Sequence, residues 1–154
     1  MTVVARSGSI AARPHDVWAV LADFGAISSW APNVDHSCLL TDQAAGVGTA
    51  RRIQTGRTTL VETVAVWTAP TVDSPGVLSY SLTGLPRVIR SVTNTWHLSL
   101  RGDATIVTLT STVDAGPRPP QKGIARIVSR KLASASDEMI AGLTSHIATT
   151  EKNA

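Results

Sequence analysis

The chain has 154 residues, 43% of them hydrophobic, and a formal net charge of +3. This length and composition predict a single domain, residues 1–154, with a substantial core and little room for a second domain. No stretch reaches the roughly 20 apolar residues of a membrane helix, and the first residues lack a signal-sequence pattern, so we expect a cytoplasmic protein without integral membrane association.

Cysteine and histidine usage argues against disulfide and metal chemistry. Cys38 is the single cysteine, which excludes an internal disulfide, and His and Cys residues do not cluster at metal-ligand spacing. The closely spaced glycines at 46 and 48 precede a strand rather than a helix, so they lack the geometry of a nucleotide-binding loop. We therefore expect no metal and no cofactor.

The positive net charge raises the question of nucleic-acid binding. A nucleic-acid groove usually shows a dense basic stripe, often with aromatic side chains placed for stacking. Here the cations are spread out, except for a group at helical spacing that comprises Lys122, Arg126, Arg130 and Lys131. We interpret this group as the solvated side of an amphipathic helix and expect no nucleic-acid partner.

The N-terminal part predicts one strand followed by two short helices. Residues 7–12 have the pattern of a strand, and Pro14 stands where a helix would begin. Apolar side chains then recur at helical spacing at Val17, Trp18, Leu21 and Phe24. The first helix should end near Gly25, and a second helical turn at 27–30 should end before Pro32.

Alternation of side chains over residues 34–40 predicts a second strand with one buried face. In this register the inward side chains are Val34, His36, Cys38 and Leu40. His36 thereby becomes a candidate ligand contact. A histidine beside a cysteine also suggests a nucleophilic site, an alternative that we do not favour because no orienting acid is identified.

A two-residue turn, Gly56-Arg57, predicts a hairpin between the strands on either side of it. Glycine at the first central position suits a type II′ turn, and this turn pairs Arg51 with Glu62. An arginine and a glutamate should therefore face each other across the two strands.

The same register places this charged pair on the apolar face of the hairpin. Because side chains alternate along a strand, Arg51 and Glu62 share a face with four apolar residues: Ile53, Leu60, Val64 and Val66. Trp67 should point the other way. Because proteins rarely bury a carboxylate without a reason, the pair is our candidate catalytic site. The alternative is a buried ion pair that only fixes the sheet register or orients a bound ligand.

Further strands are predicted at 77–82 and 88–101, and a second tight turn, Gly102-Asp103, should lead into a last strand at 104–115. Breaker-rich segments separate the strands. The result is an antiparallel sheet of about six to seven strands with one face covered and one face wet.

The second turn sets a register that brings polar residues onto the covered face. It pairs Asn94 with Ser111 and Trp96 with Leu109, and Tyr80 of the preceding strand points to the same side. Asn94 and Ser111 either bind ligand or water or bond to each other. Tyr80 either donates a hydrogen bond into a cavity or only packs its ring, and Trp96 is a candidate cavity wall.

Residues 121–149 contain no proline and predict one long helix. A helix of roughly 28 residues spans about 42 Å, longer than any one strand here, so it must lie across the sheet. Its predicted buried stripe comprises Ile124, Ile127, Val128, Lys131, Leu132, Ala135, Met139, Gly142, Leu143 and Ile147.

This order of elements resembles the helix-grip fold of the START-like superfamily, which includes the birch-pollen-allergen class, and within it the polyketide cyclase/dehydrase-like group. The resemblance covers nearly the whole chain. Its local carriers are residues 12–24, Trp30 with Pro32, the Gly-x-Gly-x-x-Arg element at 46–51, and residues 61–64, 78–80 and 94–96.

The resemblance implies an α+β fold in which a curved sheet wraps the long C-terminal helix and leaves a cavity for a hydrophobic or amphipathic molecule. Arg51 and Glu62 look like an acid/base pair of some enzymatic relatives, with Glu62 as acid or base and Arg51 as oxyanion stabiliser. This sequence departs at Val92, where several such relatives have a polar cavity residue. Trp30, near the implied mouth, is either a gate or plain packing.

Three functions remain open from the sequence. The first is a cofactor-independent cyclase or dehydratase that acts on a polyketide-like carbonyl compound. The second is a carrier or receptor that binds a small hydrophobic molecule without changing it. The third is a protein-interaction module whose cavity is filled by its own side chains. The oligomeric state is not indicated.

Overall fold

The computed structural model describes residues 1–152, and in that range the chain forms one seven-stranded antiparallel sheet with α-helical and 3₁₀ segments. The strands are β1 (Thr2–Ile10), β2 (His36–Leu39), β3 (Ala50–Thr55), β4 (Thr58–Thr68), β5 (Gly76–Thr83), β6 (Ser91–Arg101) and β7 (Ala104–Asp114). The helices are α1 (Pro14–Ala22), a 3₁₀ helix (Phe24–Ser29) and α2 (Pro119–Lys152). The predicted domain extends to residue 154, and residues 153–154 lie outside the described residues.

The sheet order is β1-β7-β6-β5-β4-β3-β2, so consecutive strands from β2 to β7 are neighbours and β1 closes the far edge beside β7. The long helix α2 packs against β1 and β7, whereas α1 contacts β6 and β7 and the 3₁₀ helix contacts β2 and β3. Burial alternates along β7, which confirms a sheet with one covered face. Neither α-helix of residues 1–152 contains an apolar stretch that could span a lipid bilayer.

Both predicted turn registers are confirmed. Arg51 pairs with Glu62, and Gly56 adopts a φ of 59°, the left-handed conformation that the first central position of a type II′ turn requires. At the second turn, Asn94 pairs with Ser111 and Gly102 has a φ of 63°. Local turn chemistry therefore determines which side chains share the inner face.

The prediction that Val66 points inward and Trp67 outward is wrong. The β4–β5 pairing shifts register between Val64 and Val66, so one extra residue is inserted and the alternation of faces is reversed beyond it. Val66 is consequently 40% exposed, and Trp67 packs against the core with its ring centroid 5.3 Å from that of Trp18.

The inward orientation predicted for His36, Cys38 and Leu40 is also wrong, because all three are exposed. The strand β2 is a short sheet edge, and Ser37 Oγ donates a hydrogen bond to the carbonyl oxygen of Gly25 at 2.7 Å. This contact turns Ser37 toward the 3₁₀ helix, so alternation directs its two neighbours outward.

The helix α2 is rotated relative to its predicted stripe. Ile127, predicted to be buried, is 58% exposed, and the side chains buried along the first half of the helix are small: Ala125, Ser129, Ala133 and Ser136. Of the predicted stripe, Met139, Leu143 and Ile147 are buried. Small side chains allow the helix to approach the sheet closely. The larger Val128 and Leu132 beside them are only half-buried.

The two glycines of α2 should respond oppositely to alanine. A methyl group at Gly142 would lie 2.5 Å from the backbone oxygen of Trp30 and 2.5 Å from Pro32 Cδ, whereas nothing lies within 4 Å of one at Gly123. We expect Gly142→Ala to lower the free energy of unfolding by about 1–3 kcal/mol through overpacking, despite the higher helix propensity of alanine. The control Gly123→Ala should raise it by up to about 1 kcal/mol. Urea denaturation measures both, and equal effects would contradict the packing described here.

Candidate functional site

Arg51 and Glu62 form a buried ion pair between β3 and β4. Only 2% of Arg51 and 3% of Glu62 is exposed, and Arg51 Nε donates to Glu62 Oε1 at 2.7 Å. The Nη1 group of Arg51 donates to the carbonyl oxygen of Phe24 at 2.9 Å. The arginine therefore ties the start of the 3₁₀ helix to the sheet while it orients the carboxylate.

Aromatic rings enclose the guanidinium. Its central carbon lies 3.7 Å from the ring centroid of Phe24 and 4.8 Å from that of Tyr80, distances at which cation–π attraction operates. The two rings meet each other edge to face. Arg51 is thus held behind Glu62, and it is not one of the residues that line the cavity described next.

A cavity of about 450 Å³ lies between the sheet and α2. Its lining is mostly apolar and comes from the region of the 3₁₀ helix, from β3 to β6 and their connections, and from α2. The lining residues are Ile27, Asn33, Val34, Ile53, Thr55, Thr58, Leu60, Glu62, Leu82, Leu85, Pro86, Ile89, Asn94, Val128, Lys131, Leu132, Ala135 and Met139. This volume falls in the range of sites that enclose small organic ligands.

The polar groups of the inner face are largely paired with one another. Ser111 Oγ donates to Asn94 Oδ1 at 2.7 Å, so these two residues do bond to each other, while Asn94 also lines the cavity. Trp96 Nε1 donates to Tyr80 Oη at 3.2 Å. Internal pairing satisfies groups that burial would otherwise penalise.

Burial makes the Tyr80 phenol a weaker acid than a solvent-exposed tyrosine. Desolvation, reinforced by the negative charge of Glu62, raises the pKa of Tyr80 from 10.0 to about 12, although the charge of Arg51 and hydrogen bonds from Trp96 and Asn94 act in the opposite direction. The phenol is therefore neutral at any physiological pH and keeps its proton as a hydrogen-bond donor.

The sequence-predicted site residues divide into two groups. The structure brings together six of them on one inner face: Arg51, Glu62, Tyr80, Asn94, Trp96 and Ser111. Glu62 and Asn94 reach the cavity wall, while the others lie behind it. His36 is exposed on the sheet edge and takes no part. Trp30 is buried with its ring 6.0 Å from that of Trp96 and borders a surface groove with Pro32 instead.

Four polar cavity residues were not identified as site residues from the sequence: Asn33, Thr55, Thr58 and Lys131. Asn33 lines the cavity, and its Oδ1 atom is buried without a hydrogen-bond partner among the described residues. Lys131 lines the cavity from α2, one turn from Val128 and Ala135. The interruption of an otherwise apolar stripe by Lys131 was a usable signal; for Asn33, which precedes a strand in a loop, the sequence offers none.

This arrangement suits proton transfer better than covalent catalysis. A carboxylate in a mostly apolar wall can take a proton from a ligand and return it, and Arg51 fixes its position. The single cysteine, Cys38, is exposed and is not among the residues that line the cavity, so it does not serve the cavity as a nucleophile. The amide of Asn94, with its oxygen engaged by Ser111, retains N–H donors for an oxygen atom of a ligand.

A curved antiparallel sheet that wraps a long C-terminal helix, with two short helices after the first strand, defines the helix-grip fold. The family model described as polyketide cyclase/dehydrase and lipid transport matches residues 1–148. The chain therefore belongs to this family, as its sequence predicted.

Solved structures with the same fold come from several bacteria. A protein from Thermobifida fusca is 25% identical over 96% of this chain and 93% of its own, with a TM-score of 0.72. The Zhui aromatase/cyclase from a Streptomyces species is 17% identical over 95% of this chain and 93% of its own, with a TM-score of 0.70. A START superfamily protein from Mycobacterium smegmatis is 13% identical over 96% of this chain and 98% of its own, with a TM-score of 0.69. The curated proteins include no significant sequence match.

Breaking the buried ion pair should cost more than removing it entirely. We expect Arg51→Met and Glu62→Leu each to lower the free energy of unfolding by roughly 3–5 kcal/mol, because each leaves a buried charge without its partner. The double variant should lose less than either single variant. Urea denaturation of the wild type, the two single variants and the double variant measures these free energies of unfolding. The control is Arg52→Met, at an exposed neighbour, which should change the free energy of unfolding by less than about 0.5 kcal/mol. Strict additivity would show that the two charges are solvated separately.

Alkaline titration should report Tyr80 alone, because it is the single tyrosine. We expect tyrosinate absorbance to rise with a midpoint at about 12 instead of 10.0 while circular dichroism remains native. Because the folded-state pKa is raised, the corresponding stability is complete below pH 10.0 and is lost as the pH rises through about 12, a change of roughly 3 kcal/mol. Tyr80→Phe should abolish the absorbance change and flatten this pH dependence. A midpoint at 10.0 in folded protein would contradict the buried phenol.

Proposed function

We propose that the protein binds a small hydrophobic or amphipathic carbonyl compound in the cavity between sheet and α2, and that it catalyses a cofactor-independent cyclisation or dehydration there. The observation that carries this proposal is a carboxylate, Glu62, on an otherwise mostly apolar cavity wall with an arginine holding it from behind.

In this proposal Glu62 removes a proton from a carbon next to the carbonyl group of the substrate. The apolar wall excludes water, and the pairing with Arg51 holds Oε1, so the carboxylate keeps one orientation toward the cavity. Arg51 acts as a positioning residue, because aromatic rings and the Phe24 carbonyl enclose its guanidinium. This assignment differs from the direct oxyanion role that the sequence suggested for Arg51.

Negative charge that develops on the substrate oxygen needs a donor at the cavity wall. Asn94 supplies one, since Ser111 occupies its oxygen and leaves its N–H groups to serve Tyr80 or a ligand. A donor aimed at the position where charge develops lowers the barrier without reorganisation. Glu62 and Asn94 are then the catalytic residues, and Ser111 positions Asn94.

The alternative function is that of a carrier or receptor. Its support is the extent of internal pairing on the inner face, where Trp96 bonds to Tyr80 and Ser111 bonds to Asn94, so few polar groups remain for chemistry. An interaction module with a filled interior is disfavoured, because about 450 Å³ between sheet and helix is not filled by side chains.

Native mass spectrometry of gently purified wild-type protein and Glu62→Gln separates these functions. Glutamine preserves shape and can still accept a bond from Arg51, but it cannot act as a base. If the protein is an enzyme, the variant should retain a species of different mass from that in the wild type, and turnover of that species should fall roughly 10²-fold to 10⁴-fold.

The matched control is Glu138→Gln, which removes an exposed carboxylate of α2 outside the cavity and should behave as the wild type. The same co-purifying mass in wild type and Glu62→Gln, without turnover by either, would overturn the catalytic role and establish a carrier. Absence of any small molecule, together with failure of carbonyl compounds to bind, would overturn the proposed function as a whole.

A further inference from the structure

The cavity has an outer rim and an inner end that differ in exposure. The exposed lining residues come from the β3–β4 turn, the β5–β6 connection and α2, namely Thr55, Thr58, Pro86 and Lys131. The polar lining residues that are buried, Glu62 and Asn94, belong to the sheet interior. A ligand therefore enters past the first set and reaches the second.

The rim carries an excess of positive charge. Besides Lys131, the turn and the connection contribute exposed cations next to the lining residues: Arg57, Arg87 and Arg90. None of these four makes an ion pair with a carboxylate in residues 1–152. Asp35, which approaches the β3–β4 turn, uses its carboxylate to accept a hydrogen bond from the Gly56 N–H group at 2.8 Å.

The inner end of the cavity disfavours an anionic group, in contrast to the positively charged rim. Glu62 is buried and negatively charged there, so an anionic group that reached the inner end would face a like charge in a region of low dielectric. A neutral oxygen, by contrast, can accept from Asn94. The two ends of the cavity thus favour different ends of one molecule.

We propose that the ligand is an anionic amphiphile, bound with its acidic head at the rim on Lys131 and its apolar body directed toward Glu62. This inference rests on the proposed binding function and names the ligand class and its orientation. The apolar lining from Val128, Leu132 and Met139 accommodates the chain, while the ammonium group supplies charge and hydrogen-bond donors for a carboxylate or phosphate head. Lys131 is placed for this role because it is the cation that lines the cavity.

Isothermal titration calorimetry with two probes of equal chain length, decanoate and decanol, tests the inference. For the wild type we expect decanoate to bind about tenfold more tightly than decanol, the size of effect given by a charge-assisted contact at a partly desolvated site. Lys131→Met should abolish this preference while decanol binding changes little, and Lys131→Glu should reverse it. The matched control Lys122→Met removes an exposed cation of α2 outside the cavity and should keep the preference.

The outcomes separate this inference from the proposed function. Equal binding of the two probes by the wild type would overturn the anionic-head assignment, and a preference for decanoate that survives Lys131→Met would overturn the placement of the head on Lys131. Both outcomes leave cavity binding intact. Binding of neither probe by folded wild-type protein would overturn both. Because Lys131 is exposed, circular dichroism should show native folding in each variant, so a loss of preference cannot come from unfolding.

Discussion

The buried pair of Arg51 and Glu62 is the constraint on which the arrangement of the inner face depends. Removing two charges from water costs several kcal/mol per ion unless close geometry and further hydrogen bonds compensate. Here compensation requires the Arg51–Glu62 register, the Phe24 carbonyl and the ring of Tyr80 at the same time. A one-residue slip of the hairpin would move both charges to the other face, so the pair and the register specify each other.

The sequence predicted those parts of the fold that local chemistry determines. Glycine at the first position of a two-residue turn fixed the pairing of Arg51 with Glu62, and the same logic gave Asn94 opposite Ser111. Features set by tertiary contacts were missed. The bulge in β4 has no marker in the local pattern, yet it exchanges the faces of Val66 and Trp67. The outward position of His36 accompanies a hydrogen bond between Ser37 and the preceding 3₁₀ helix, a tertiary contact that the strand pattern does not contain.

The rotation of α2 shows why the candidate cavity was only partly predictable. An apolar stripe on a helix is normally read as its buried face, and on that basis Val128 and Leu132 look like core residues. In the structure the close contact with the sheet is made by small side chains, and a methyl group at Gly8 of β1 would already lie 2.8 Å from Ile140 of α2. The larger residues are displaced sideways and become cavity walls. A hydrophobic pattern alone cannot distinguish a residue that packs in the core from one that lines a cavity.

Polar side chains on neighbouring strands of the inner face pair with one another, as Tyr80 does with Trp96 and Asn94 does with Ser111. Two buried side-chain atoms in residues 1–152 have no such partner, Trp30 Nε1 and Asn33 Oδ1. Of the two residues, Asn33 lines the cavity. An unpaired buried acceptor costs about 1–3 kcal/mol, a cost that a ligand with a suitably placed donor removes. A ligand that presents a donor to Asn33 Oδ1 is therefore favoured over one that presents an acceptor there.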